Sequence, residues 1–363
     1  MRIYLDHNAT TPLRLEVADA TARALRETWG NPSSVHAEGT AAREAVEDAR
    51  AQVAALVGAE PGQVIFTGGA TEANNALLSG VRRRLVTSTA EHPSVRACVE
   101  ALRGSGVAVE TVAVDSDGRL DLAALETALS EDTELVSLIW ANNETGVIQP
   151  LEEIARRVAG RAPIHVDATQ ALGKIAVQGP WDFLSASAHK LNGPKGIGCL
   201  VARREAPVLL RGGGQERGLR GGTENVPGIV GFGVACELAR KELTERTAHY
   251  AALRDRLWAR LQGIPGARRN GDHASVLPNT LSVEIPGAEG DSLVQALDLE
   301  GVAISAGAAC HAGAVSASHV LLAMGRTAEQ ALGSLRFSVG YGNDEAQIDE
   351  AAQRLQAVLE RSG

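Results

Sequence analysis

An α/β fold built on a mainly parallel sheet is what the sequence predicts, and three observations predict it. From Val64 onward, short runs rich in β-branched residues alternate with helical stretches, the pattern of strands joined by crossover helices. Polar clusters fall just past the ends of those runs, where open parallel sheets place their ligands. The composition agrees: 39 glycines and only 3% aromatics among 44% hydrophobic residues suit small side chains at helix–sheet contacts.

The elements follow in order. Residues 1–12 form an extended segment ending in Asn8-Ala9-Thr10-Thr11-Pro12. An amphipathic helix is expected from about Leu15 to Trp29, a break at Gly30–Ser34, and a second helix from Glu38 to Val57 closed by Gly58. Strands are then expected at Val64–Phe66, Leu85–Ser88, Val107–Val114, Glu134–Trp140, Ile164–Asp167, Phe183–Ser187 and Ile197–Val201. The helices between them are Thr71–Val81, Pro93–Arg103, Leu120–Leu129 and Leu151–Val158. That makes a seven-stranded sheet flanked by helices, the large domain, residues 13–260. A long helix from Val226-Pro227 to about Gln262 leads out of it. Residues 1–12 and 261–363 make a smaller α+β domain, with strands Thr280–Ile285 and Leu335–Val339 and helices Asp291–Leu299 and Asp344–Arg361.

With a formal charge of −9 over 363 residues, nucleic acid and membrane surfaces are poor candidate partners. Arg2 and Asp6 interrupt the N-terminus too early for an export signal. The stretch Gly301–Gly325 lacks acidic and basic residues, but its histidines, serines and glycines exclude a bilayer span. Cys98, Cys199, Cys236 and Cys310 are widely scattered, which points to reduced thiols rather than disulfides or a structural metal site. A soluble cytoplasmic protein is expected.

The chemistry centres on residues 181–199. The run Phe183-Leu184 leads through small polar residues to His189-Lys190 and then a Gly/Pro-rich turn. A single lysine is ordinarily a solvated surface residue, but this one sits at a strand end facing other strand-end clusters. Asp167 ends a strand 23 positions earlier, and Thr67-Gly68-Gly69-Ala70-Thr71-Glu72 opens a helix after another strand. Taken alone, that turn reads as a plain helix cap; a helix N-terminus also cradles phosphate. A lysine, an acid and a phosphate cradle on neighbouring strand ends are what pyridoxal phosphate requires. The lysine bonds the aldehyde, the carboxylate holds the ring nitrogen protonated, and Thr71, Ser187 and His189 hold the phosphate. The Gly-x-Gly-x-x-Gly turn of a dinucleotide-binding protein is absent after the first sheet strand.

The ordered set of motifs resembles the class V branch of the aspartate-aminotransferase superfamily, and within it cysteine desulfurases of the nitrogen-fixation and iron–sulfur-cluster kind. The matching stretches include Tyr4–Thr11, Gly30–Ser34, Thr67–Glu72, Glu91-His92, Asn142–Gly146, His165–Gln170, Ser187–Lys190, Gly193–Gly198, Gly212–Asn225, Ser305–Cys310 and Arg336-Phe337-Ser338. They span essentially the whole chain. The resemblance implies the fold-type I architecture and pyridoxal 5'-phosphate held by Ala70, Thr71, His92, Asn143, Asp167, Gln170, Ser187, Ala188, His189 and Lys190. It implies that His92 stacks on the ring, that Asn143 and Arg336 hold the substrate, and that Thr223 reaches the cofactor of a partner subunit, hence a homodimer.

Cys310 decides the subtype. It lies in a loop of glycine, alanine and serine, with little to pack against and room to swing, which suits a nucleophile that carries sulfur. The long stretch from Cys310 to Val320 resembles the family group with a mobile cysteine loop. The other three cysteines read as inert apolar residues. The resemblance implies conversion of L-cysteine to L-alanine with a persulfide left on Cys310, and no resident metal, with Cys310 as a transient iron–sulfur ligand. A sulfur-acceptor or scaffold protein would be the partner. Ala188 and Ala317 depart from the glycine and proline frequent in the family, and the short C-terminus leaves scaffold docking open. The alternatives are a selenocysteine lyase or another enzyme of the same fold, and a non-catalytic sulfur-delivery subunit. A subunit of that last kind has no need of Lys190, Asp167, Cys310 and Arg336 together.

Overall fold

The computed structural model describes residues 2–306, 308–311 and 314–362, with backbone alone at 308–311, 314–315 and 362. Strand β1 (Ile3–Tyr4) is followed by helices α1 (Leu15–Glu27) and α2 (Ala37–Val57), the latter closed by Gly58 in the left-handed conformation at φ 66°. The central region runs β2 (Val64–Thr67), α3 (Ala70–Leu78), β3 (Arg84–Ser88), α4 (Pro93–Gly104), β4 (Ala108–Val112), α5 (Leu122–Ala128), β5 (Thr133–Ile139), α6 (Leu151–Val158), β6 (Ile164–Asp167), β7 (Phe183–Ser187) and β8 (Gly198–Ala202). These strands form one seven-stranded sheet in the order β2-β8-β7-β6-β5-β3-β4, with β8 antiparallel to both neighbours and the other pairs parallel. Strands β2, β6 and β7 are buried at every position, as expected where helices cover both faces.

Helix α7 (Val226–Leu261) starts at an Asn225 cap with Pro227 in its first turn and spans 36 residues. Beyond it come β9 (Arg268–Arg269), β10 (Thr280–Glu284), α8 (Gly290–Leu299), β11 (Val302–Ala303), β12 (Ser305–Ala306), β13 (Ala308–His311), β14 (Ala314–Ala317), α9 (His319–Ala323), α10 (Ala328–Leu332), β15 (Ser334–Ser338) and α11 (Glu345–Ser362). A second, antiparallel sheet has the order β12-β15-β10-β9, and β1 pairs in parallel with β11. Two large apolar clusters result. One lies around the seven-stranded sheet; the other gathers Ile3 and Leu5, the α7 residues Tyr250, Leu253 and Leu257, and the strands and helices near the C-terminus.

One expectation is sharpened and one is corrected. Within the extended segment 1–12, Ile3–Tyr4 pairs as a strand with β11, and Asp6 makes a further single bridge to Ser338. The small-residue run at Cys310 is no open loop: β13 and β14 form a hairpin that sets Cys310 opposite Val315. That stretch contains no proline to bar pairing, and the β-branched Val315 favours it. The Cys310 side chain lies outside the described residues.

Candidate active site

A cavity of about 350 Å³ opens at the carboxyl ends of the central strands, where parallel sheets bind ligands. Lys190 reaches it from the single tight turn Ala188–Lys190 that follows β7. Its Nζ donates to the backbone carbonyls of Asn8 (2.6 Å) and Ala9 (2.7 Å). Burial lowers its pKa to about 8, helped by the nearby Arg336 guanidinium. An amine poised there is free base often enough to attack an aldehyde at neutral pH.

Asp167 is the last residue of β6 and is buried. Its Oδ2 accepts from Asn74 Nδ2 at 2.8 Å and its Oδ1 from the Thr169 amide at 3.0 Å. Ala70 and Thr71 open α3 at the cavity wall, and Ser187, at the end of β7, accepts the Ala70 amide on its Oγ at 2.8 Å. This close approach of α3 to the sheet needs glycine: a Cβ on Gly198 would sit 2.3 Å from the Ala186 carbonyl oxygen and 2.7 Å from Gly69 Cα. His189, half-buried, has Nδ1 3.1 Å from Thr10 Oγ1, and burial beside Lys190 lowers its pKa to about 4.

His92 is the cap of α4, with Pro93 in the first helical position. Its Nδ1 accepts the Ser94 amide at 3.1 Å and lies 2.8 Å from Ser94 Oγ. With Nδ1 an acceptor, the ring proton sits on Nε2; burial lowers its pKa. Glu91 beside it is fully buried. Its Oε1 accepts from Ser88 Oγ (2.6 Å) and the Ile139 amide (2.9 Å), and burial raises its pKa to about 8.

Gln170 is fixed at both ends of its amide, donating to the Asn8 carbonyl at 2.9 Å and accepting from Lys174 Nζ at 2.6 Å. Arg336 comes from β15 and lines the same cavity as Asn143. Its Nη1 donates to the Asn143 carbonyl at 3.0 Å, and its Nη2 to Asp6 Oδ1 at 2.6 Å and Ser305 Oγ at 2.9 Å.

The donor set fits pyridoxal phosphate. Two buried polar atoms on the cavity, Thr169 Oγ1 and Arg336 Nε, have no protein partner among the described residues, which marks a site shaped for a polar ligand. One sequence-predicted residue, Ala188, is buried beneath the site without lining it. Thr223 is exposed and is not brought to this cavity. Sequence reasoning assigned no role to Asn8, Ala9, Ser94, Thr169 or Lys174. The Asn-Ala-Thr-Thr-Pro run was a visible signal for the first two. A lysine four residues after Gln170 gave no sign of being buried.

Comparison with known proteins agrees with this geometry. The family model described as aminotransferase class-V matches residues 3–351. The cysteine desulfurase of Cereibacter sphaeroides is 45% identical over 99% of this chain and 96% of its own length. A solved structure described as a NifS-like protein superposes with a TM-score of 0.94 at 38% identity, covering 99% of this chain and all of its own. Another, described as SspA in complex with cysteine, has a TM-score of 0.82 at 31% identity over 94% of this chain and 99% of its own. The chain belongs to the aminotransferase class-V family, whose members work with pyridoxal 5'-phosphate.

Proposed function

We propose that this protein is a pyridoxal-phosphate-dependent cysteine desulfurase that converts L-cysteine to L-alanine and leaves the sulfur as a persulfide on Cys310. The observation that carries this is the meeting of Lys190, Asp167 and the α3 N-terminus around one cavity, in a chain similar to cysteine desulfurases along its whole length. When bound, the cofactor withdraws electrons from the substrate's Cα. Asp167 would face its ring nitrogen and His92 its ring face. Gln170 and Asn143 would hydrogen-bond its ring side, while Ala70, Thr71, Ser187 and His189 would hold its phosphate, with Ala188 supporting the turn beneath.

The chain's own groups account for the remaining chemistry. Arg336 holds the substrate carboxylate through its fork. Lys190, released as an amine of lowered pKa, takes the Cα proton. The Cys310 thiolate attacks the substrate sulfur: an S–S bond forms, the Cβ–S bond breaks, and its electron pair stays on carbon. Lys190 returns the proton it took to the departing skeleton, His92 assists that proton movement, and the skeleton leaves as alanine. L-Cysteine plus the Cys310 thiol thus become L-alanine plus the persulfide.

The exposed Thr223 fits a residue offered to the cofactor of a second copy, so the working unit is a homodimer. Residues 13–260 act as the cofactor-binding domain, and residues 1–12 with 261–363 as the domain carrying the cysteine. The persulfide serves a protein acceptor, in iron–sulfur cluster assembly or another thiolation. Among the described residues no helix is long and apolar enough to cross a membrane. Cys98, Cys199 and Cys236 are free and buried, which supports a reducing, cytoplasmic setting. The test is stoichiometric. With pyridoxal phosphate, L-cysteine and a thiol reductant, the protein releases alanine and sulfide one for one; alanine without sulfide would refute the assignment.

A further inference from the structure

Behind Asp167 a file of polar side chains runs through the apolar interior. Ser137, His165, Ser185 and Asn74 are all completely buried. In the sheet Ser137 stands opposite His165, and Ser185 opposite Asp167. His165 and Asp167, two residues apart on β6, share a face, and Asn74 meets that face from α3.

The hydrogen bonds of this file have one direction. An aspartate carboxylate accepts only, so Asn74 turns its NH₂ to Asp167 at 2.8 Å. Its Oδ1 therefore accepts from Ser185 Oγ at 2.5 Å. Ser185, its proton spent, accepts the Nε2 proton of His165 at 3.1 Å, and His165 Nδ1 accepts from Ser137 Oγ at 2.8 Å. The other Asn74 N–H goes to Ser94 Oγ at 3.0 Å, whose own proton goes to His92 Nδ1. Asn74 thus stands at a fork between the acid and the histidine of the active site. Burial lowers the pKa of His165 to about 4, so its ring stays neutral and keeps one donor and one acceptor at physiological pH. Aligned bonds in a low-dielectric interior reinforce one another.

We propose that Asn74 is a positioning residue through which this file, by way of Asp167, places a proton on the ring nitrogen of the cofactor. This rests on Asp167 being the partner of that ring nitrogen. With Asn74 donating, the negative charge stays on Asp167 and the proton on the ring. With the file broken, Asn74 is free to turn its oxygen to the carboxyl, and the proton moves from the ring nitrogen to Asp167. Besides His165 in the file, the titratable groups that feel the Asp167 charge are Glu91, His92 and Lys190; none of them interrupts the file.

The test uses the holoenzyme carrying cofactor labelled with ¹⁵N in the ring. Wild type shows a protonated ring nitrogen. In Ser185→Ala a large share of the ring signal moves to the unprotonated position. With it kcat falls about tenfold, while KM for L-cysteine stays within about twofold. Ser185→Thr, which restores the hydroxyl, restores the signal. Should Ser185→Ala fail to fold, Ser137→Ala at the far end reads the same movement at smaller amplitude and frees the His165 tautomer. A ring nitrogen that answers to Asp167→Asn but not to Ser185→Ala or Ser137→Ala overturns the proposal alone. One indifferent even to Asp167→Asn overturns the assignment of Asp167 and the proposal with it.

Discussion

Asp6 holds Arg336 by one arm: its Oδ1 lies 2.6 Å from the guanidinium Nη2, with side-chain exposures of only 17% and 11%. The ion pair joins the N-terminal segment to β15 and leaves Arg336 Nε without a protein partner among the described residues. Breaking a buried pair from one side costs more than the pair is worth, because a charge is left uncompensated. Arg336→Lys is expected to raise KM for L-cysteine about a hundredfold, and Asp6→Asn about tenfold, each with cofactor absorbance unchanged. Steady-state kinetics on both variants checks the order.

Glu91 sets a limb of the stability–pH curve. Burial raises its folded pKa to about 8 from the ordinary 4.5. Its contribution is therefore fully present below pH 4.5 and is lost as pH rises through about 8. The buried His165 works the other way. Lowered to about 4 from 6.5, it contributes stability above pH 6.5 that is lost as pH falls through 4. Glu91→Gln is expected to match wild type near pH 5 and to exceed it in melting temperature at pH 9. Equal differences at both pH values would contradict the assignment.

Lys190 makes cofactor loading pH-dependent. Its amine, with a pKa of about 8, becomes reactive as pH rises. Covalent attachment of the cofactor to the free protein is expected to accelerate roughly tenfold from pH 7 toward 9 and then level off. Stopped-flow absorbance reads the rate, and Lys190→Ala abolishes the signal.

Lys174 is a buried lysine whose hydrogen-bond partners are amide oxygens, Gln170 Oε1 at 2.6 Å and Asn8 Oδ1 at 3.3 Å. Burial drives its pKa well below 10.5. The unfolded chain binds a proton that the folded one refuses, so this group makes stability rise with pH up to about 10.5. Lys174→Met is expected to flatten that rise while loosening Gln170 and weakening cofactor binding. Paired thermal melts and cofactor titrations separate the two effects.

The strand ends were legible in the sequence because strands of β-branched residues stop where the small polar residues begin. That was enough to place Lys190, Asp167, Thr71 and Ser187 around one site. The file behind Asp167 was visible only in part. Ser137, His165 and Ser185 interrupt apolar strands that a sheet covered on both faces should fill, yet nothing local tells that Asn74, 93 residues before Asp167, joins them. The Asp6–Arg336 pair spans 330 residues and was beyond any local pattern. The hairpin at Cys310 was hidden because its alanines and glycines carry no alternation.

The most direct test is single-turnover mass spectrometry after addition of L-cysteine, with alanine measured in parallel. A gain of one sulfur mapped to Cys310, matched by an equal amount of alanine and absent in Cys310→Ala, is the expected result. A loaded cofactor with no sulfur on Cys310, or alanine formed equally well by Cys310→Ala, would contradict it.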